Sequence, residues 1–238
     1  MNRQINKQAG FTILELLIAT AIFSVILLVA TSGIIYLGKI FYKGVTLSKT
    51  QEKARTISEE LSKSLQFSGS RPEFNNGSVK ILCMGDTRYY YTIGTKVDDP
   101  AATLNSPGQI GLVAIRLGTY EYNPDGTLKG INASSCSLCP ITLQSCQLEK
   151  RQLLSKNMRL TEFSLGQVGD PNNNLWNIKV GIAYGDGDLF VDNSGTAMSD
   201  IIFKDPAKAT EARCTSNQSG GSFCAVSKLD TTLKRRIK

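Results

Sequence analysis

Gly10-Phe11-Thr12-Ile13-Leu14-Glu15 opens onto Leu16 to Gly38, LLIATAIFSVILLVATSGIIYLG, a run without a charged side chain. As a helix those 23 residues rise roughly 35 Å, enough to cross a bilayer core. Glu15 stands at the mouth of that run, where a segment built only to anchor gains by omitting a carboxylate. Acidic residues next to hydrocarbon are costly, so they carry a role and have a partner. The ten residues ahead, MNRQINKQAG, hold Arg3 and Lys7 and no acid. That bias keeps the N-terminus in the cytoplasm and sends the rest of the chain outward.

A short basic leader, then Gly-Phe-Thr-Ile-Leu-Glu-Leu-Leu-Ile-Ala at 10–19, then an unbroken apolar helix, resembles the type IV prepilins and type II secretion pseudopilins. The resemblance implies that a prepilin peptidase cuts between Gly10 and Phe11 and N-methylates Phe11. It implies that Glu15 meets the new N-terminal ammonium of a neighbouring subunit during assembly. It further implies other pilin subunits and an inner-membrane assembly platform as partners. The precursor is then single-pass in the cytoplasmic membrane and the product a surface filament. Elementary electrostatics agrees: methylating the amine leaves its charge, and opposite charges a few ångströms apart attract strongly away from bulk water.

Two plainer readings compete. A secretory signal has an apolar core of about 7–15 residues and a small-residue cleavage site after it. Here the run is longer, and the one Ala-x-Ala within it, Ala19 to Ala21, is internal. A plain anchor leaves Glu15 without a purpose.

Among 238 residues there is no histidine, which removes the commonest general base and zinc ligand. No nucleophile elbow, phosphate-binding glycine loop or Cys-His pairing occurs, so the chain reads as a non-enzyme with no cofactor and no metal. The net charge of +7 is uneven: Lys228, Lys234, Arg235, Arg236 and Lys238 crowd the end, and Lys150, Arg151, Lys156 and Arg159 form a second group. Six cysteines, at 83, 136, 139, 146, 214 and 224, all follow the apolar run, on the side where disulfides persist. Cys214 and Cys224 bracket a Gly/Ser-rich loop and favour a local bridge; Cys83, Cys136, Cys139 and Cys146 share the others in an order the spacing leaves open. Cys136-Ser-Leu-Cys139 has redox and zinc spacing, but no βαβ setting and no second matched pair accompany it.

From Phe11 to about Phe67 there is no proline, so one helix of about 85 Å is expected. After Lys39, Leu47, Ala54, Ile57, Leu61 and Leu65 form a stripe that can pack under a head domain. Gly33, Gly38 and Gly44 either bend the helix or let neighbours approach closely. The helix should stop near Ser68-Gly69-Ser70-Arg71-Pro72. Strands are expected at Val79–Leu82, Arg88–Ile93, Val113–Gly118 running into Tyr120–Tyr122, and Trp176–Tyr184, with a turn at 123–126. The end alternates Leu229, Leu233 and Ile237 with Asp230, Lys234, Arg236 and Lys238; 143–156 reads as helix and 95–110 as loop.

The fold class is therefore α+β: a long N-terminal helix, apolar then amphipathic, packed on a C-terminal antiparallel sheet head, which the resemblance identifies with the type IV pilin fold. The parts are a leader 1–10, a membrane and filament-core helix 11–39, an amphipathic helix 40–68 and a β-rich head 69–238. A leucine-rich stretch before Phe163, the early Trp176 and Thr231-Thr-x-x-Arg-Arg236 resemble the larger minor pilins and J-type minor pseudopilins. That implies a minor subunit of a type IV pilus or related filament, with a minor pseudopilin or a DNA-binding minor pilin as alternatives. Asp170–Asn174 has the oxygen spacing that begins a calcium loop, but Leu175 and Gly181 stand where glycine and glutamate are required, so a polar turn is expected. Lys234, Arg235 and Arg236 are the residues able to contact DNA or another anion. They lack interleaved aromatics, and an exposed strand uses such charges to guard its edge.

Overall fold

The computed structural model of the protein describes residues 11–68, 71–76, 80–100, 110–117, 147–170, 173–215 and 223–236. One helix, α1, runs Ile13–Phe67 and passes through Gly33, Gly38 and Gly44 without a break. Residues up to Tyr42 form one compact unit and Lys43–Lys238 another.

In the first unit the apolar side chains are exposed, from Phe11 and Ile13 to Phe41 and Tyr42. The start of α1 belongs to it, and α1 is the one helix among the described residues long and apolar enough to cross a membrane. The serine and threonine hydroxyls along its helix need no outside partner. Thr20, Ser24, Thr31 and Ser32 donate to the carbonyls of Leu17, Thr20, Leu27 and Val29 at 2.7–3.0 Å, which removes bare polar groups from an apolar surface.

In the second unit, the rest of α1 packs with antiparallel sheets, as the α+β reading expects. Strands β1 (Glu73–Asn76), β2 (Lys80–Met84), β3 (Thr87–Tyr91), β4 (Leu112–Leu117) and β5 (Gln147–Gln152) form one sheet in sequence order. Strands β6 (Met158–Gln167), β7 (Leu175–Tyr184) and β10 (Ala225–Lys234) form a second, ordered β10-β7-β6. A short pair, β8 (Phe190–Val191) and β9 (Arg213–Cys214), and the helix α2 (Pro206–Glu211) complete the described part. Ala54, Ile57, Leu61 and Leu65 of α1 share a core with Leu82 and Tyr89 of the first sheet and Phe163, Ile178 and Val180 of the second. Leu47 departs from the expected stripe, being 38% exposed. Thr50 takes the outermost buried position instead, its hydroxyl donating to the Thr46 carbonyl at 2.8 Å.

The helix expected over 143–156 is not formed where the chain is described. Residues 147–152 are strand β5, pairing with β4 so that Glu149 faces Arg116 and Arg151 faces Ala114. The Gln152 side chain then accepts from the Leu112 and Leu154 amides at 3.1 and 3.3 Å, and Leu153 and Leu154 turn into the core. Tertiary pairing overrides the helical propensity of QLEKRQ. Strand β6, by contrast, escapes the sequence reading. A register shift between Leu160 and Glu162 buries Leu160 and Thr161 in succession, so Met158 and Leu160 run out of phase with Phe163 and Leu165. The turn at 123–126 and Tyr120–Tyr122 lie outside the described residues.

A second cluster, Ala183, Phe190, Met198, Phe203, Ala209 and Ala212, closes one end of the head around Arg159. Arg159 is wholly buried, not part of a basic surface. Its guanidinium donates to Asp200 at 2.7 Å and to the Gly185 carbonyl at 3.1 Å and lies 4.3 Å from the Phe203 ring centre. Backbone crowding here demands glycine at 94, where φ is +77° and an added Cβ would sit 1.8 Å from the Phe203 carbonyl oxygen. Gly94→Ala is expected to destabilise the fold by at least about 1–3 kcal/mol, read as a lowered urea midpoint with unchanged slope.

Candidate functional site

The segment from Phe11 to Leu16 starts the helix through its own side chains. The Thr12 carbonyl accepts from the Leu16 amide at 3.2 Å. Its hydroxyl accepts from the Glu15 amide at 3.2 Å, while its own amide and hydroxyl both donate to Glu15 Oε2 at 3.0 Å. This is a capping box, Thr-x-x-Glu, in which two otherwise unpaired amides of the first turn are satisfied reciprocally. The Glu15 carboxylate is thereby held back over Thr12, next to Phe11, on an exposed surface. Thr12 is the site residue the sequence reading passes over, although its three-residue spacing from Glu15 carries the signal. Thr12→Val should loosen the first turn by about 0.5–2 kcal/mol, seen as faster amide exchange at Leu14 and Glu15 in detergent, with residues from Ile18 onward unchanged. Gly10 lies outside the described residues.

In the head, Cys214 and Cys224 form the expected local disulfide, joining β9 to the start of β10. Cys83 is disulfide-bonded as well; Cys136, Cys139 and Cys146 lie outside the described residues. The C-terminal basic triplet is divided by strand alternation. Lys234 and Arg236 are exposed, whereas Arg235 turns inward, 6% exposed, with its amide donating to the Asn174 carbonyl at 2.9 Å. Of the three, Lys234 and Arg236 alone are exposed. At the start of the sequence's calcium-like stretch, the Asp170 carbonyl accepts from the Asn173 amide at 2.9 Å, and Asn174 has φ +49°, the geometry of a polar turn between β6 and β7. Pro171 and Asn172 lie outside the described residues. Among the described residues no three His, Cys, Asp or Glu side chains converge as a metal site.

A polar cleft of about 420 Å³ lies between α1 and the first sheet, lined by Glu60, Tyr89, Asp86, Arg116, Glu149 and Arg151 among others. Its charges pair with one another: Arg151 with Glu60 at 2.7 Å, and Arg116 with Asp86 at 3.0 Å. Burial pushes Glu60 up from its usual value against the pull of Arg151, and pushes the Tyr89 hydroxyl up as well. Tyr89 and Ser64 share a 2.7 Å hydrogen bond. These contacts fasten the helix to the sheet.

The family model for the prokaryotic N-terminal methylation motif matches residues 5–31. No curated protein and no solved structure matches the chain. The match supports a type IV pilin-like or pseudopilin protein, and it takes in Lys7 of the leader, the capping box and the apolar run as far as Thr31. It fits a membrane-anchored precursor.

Proposed function

We propose that the chain is a minor pilin, a structural subunit of a type IV pilus or related filament, whose chemistry is that of a substrate. The methylation motif at 5–31 carries the reading. A prepilin peptidase cuts between Gly10 and Phe11 and methylates the new amine. The cut places an ammonium one residue from Thr12, whose amide Glu15 already grips, so the carboxylate is poised beside the position where the charge is created. In the assembled filament Glu15 meets the corresponding ammonium of a neighbour, and burial between helices strengthens that attraction. Leu16 to Gly38 holds the subunit in the membrane until the assembly platform extracts it, then joins the apolar filament core. The exposed apolar surface of that segment is what both environments require.

Blocking the cut tests this directly. Gly10→Val, co-expressed with a prepilin peptidase, should accumulate at precursor mass in the membrane fraction, while the unaltered chain is converted almost completely. Equal conversion of the two chains, or of neither, contradicts the reading.

A further inference from the structure

Between Glu15 and Glu52 the only charged side chains are Lys39, Lys43 and Lys49, with no acid among them. All three lie exposed on α1. Lys39 follows Tyr36 by one helical turn and Lys43 follows Lys39 by another, so the three share a face. Phe41 and Tyr42 stand exposed among them, their rings edge to face with centres 6.1 Å apart. From Leu16 to Tyr36 the helix rises about 30 Å, the thickness of a hydrocarbon core. With Glu15 at one boundary of that core, Tyr36 reaches the other. Lys39 then stands about 5 Å beyond it and Lys43 about 10 Å. Those are the depths of the headgroup layer, where tyrosine rings are favoured and lipid phosphates carry negative charge. The lysine stems can lie along the apolar helix while their ammonium groups reach that layer.

We propose that Tyr36, Lys39, Phe41, Tyr42 and Lys43 form a collar on α1 that binds anionic phospholipid headgroups at the membrane surface remote from Glu15. The inference rests on the membrane-anchored precursor of the proposed function. The aromatic rings occupy the boundary between hydrocarbon and headgroups, and the two ammonium groups draw lipid phosphates around the helix. A second copy at the same depth brings lysine to lysine, so this stretch does not cover itself. The collar fixes how far the span sinks and so holds Phe11 and Glu15 at the opposite boundary, where the proposed cut is made.

The test reconstitutes the full chain at low salt in phosphatidylcholine vesicles that carry a trace of nitroxide-labelled phosphatidylglycerol or nitroxide-labelled phosphatidylcholine. The readout is the fraction of each labelled lipid that electron spin resonance finds immobilised on the protein. The expected result is a preference for phosphatidylglycerol of about fivefold, falling to about twofold or less in Lys39→Gln with Lys43→Gln. High salt should weaken the preference of the unaltered chain as well. A control, Lys63→Gln with Lys204→Gln, removes the same charge at exposed positions elsewhere and should keep the preference. Arg3 and Lys7 are present in every chain, so the leader contributes equally to all. A chain that resists carbonate extraction but shows no preference overturns the collar and leaves the membrane span standing. So does a preference that the two double variants lower equally, or that neither lowers. A chain that carbonate strips from the vesicles overturns the span and the collar together.

Discussion

Replacing Glu15 with alanine is expected to leave the chain in the membrane at its normal level while its incorporation into filaments falls by tenfold or more. Insertion depends on Leu16 to Gly38, which carries no charge and is exposed along its length, so removing a carboxylate ahead of it does not weaken the anchor. Under the proposed function, assembly depends on a charge pair formed away from bulk water, where even a modest fraction of the Coulomb attraction exceeds a factor of ten in an equilibrium constant. Glu15 also holds Thr12 through its carboxylate at 3.0 Å, so alanine removes two roles at once. Glu15→Gln separates them. Its amide oxygen still accepts from Thr12, as glutamine does in capping boxes, while the charge is gone. Incorporation of the glutamine variant should fall nearly as far as that of alanine. If it assembles like the unaltered chain, the charge is not what Glu15 contributes, and the cap is.

The second large effect belongs to the head. Leu61→Ala should destabilise it by about 2–5 kcal/mol, because Leu61 is 1% exposed in the core shared by α1 and both larger sheets. That is a large fraction of the roughly 5–15 kcal/mol by which domains are stable, so the urea midpoint in detergent drops markedly. Leu47→Ala, on the same helix but 38% exposed, should cost far less. Comparable losses at the two positions would contradict the packing of the helix's second half into the head core. The apolar first half should stay helical in both variants, since it takes no part in that core.

Legibility followed period. The helix could be read from Phe11 to Phe67 because it lacks proline and its apolar pattern changes once, at Lys39; the observed span is Ile13–Phe67. Trp176 to Tyr184 could be read because its alternation is unbroken, and β7 occupies Leu175–Tyr184. Strand β6 was hidden by its bulge at Thr161, which shifts the alternation halfway along. Strand β5 was misread because Gln-Leu-Glu-Lys-Arg-Gln is rich in helix formers, and what makes it a strand is pairing with β4, invisible in a local window. Burial of Arg159 and Arg235 was equally out of reach. Each looks like a surface cation until Asp200, Phe203 and the strand alternation are placed around it. At the N-terminal site the reverse holds. Glu15 stood out by its position alone, and Thr12 needed only the three-residue spacing of a capping box. The Cys214–Cys224 bridge was legible because the two cysteines flank one short polar loop.

The most direct test of the account is the N-terminal residue and intact mass of the chain recovered from sheared surface filaments. A start at Phe11 carrying one added methyl group is the predicted result. An intact Met1, with the chain confined to membranes, would contradict it.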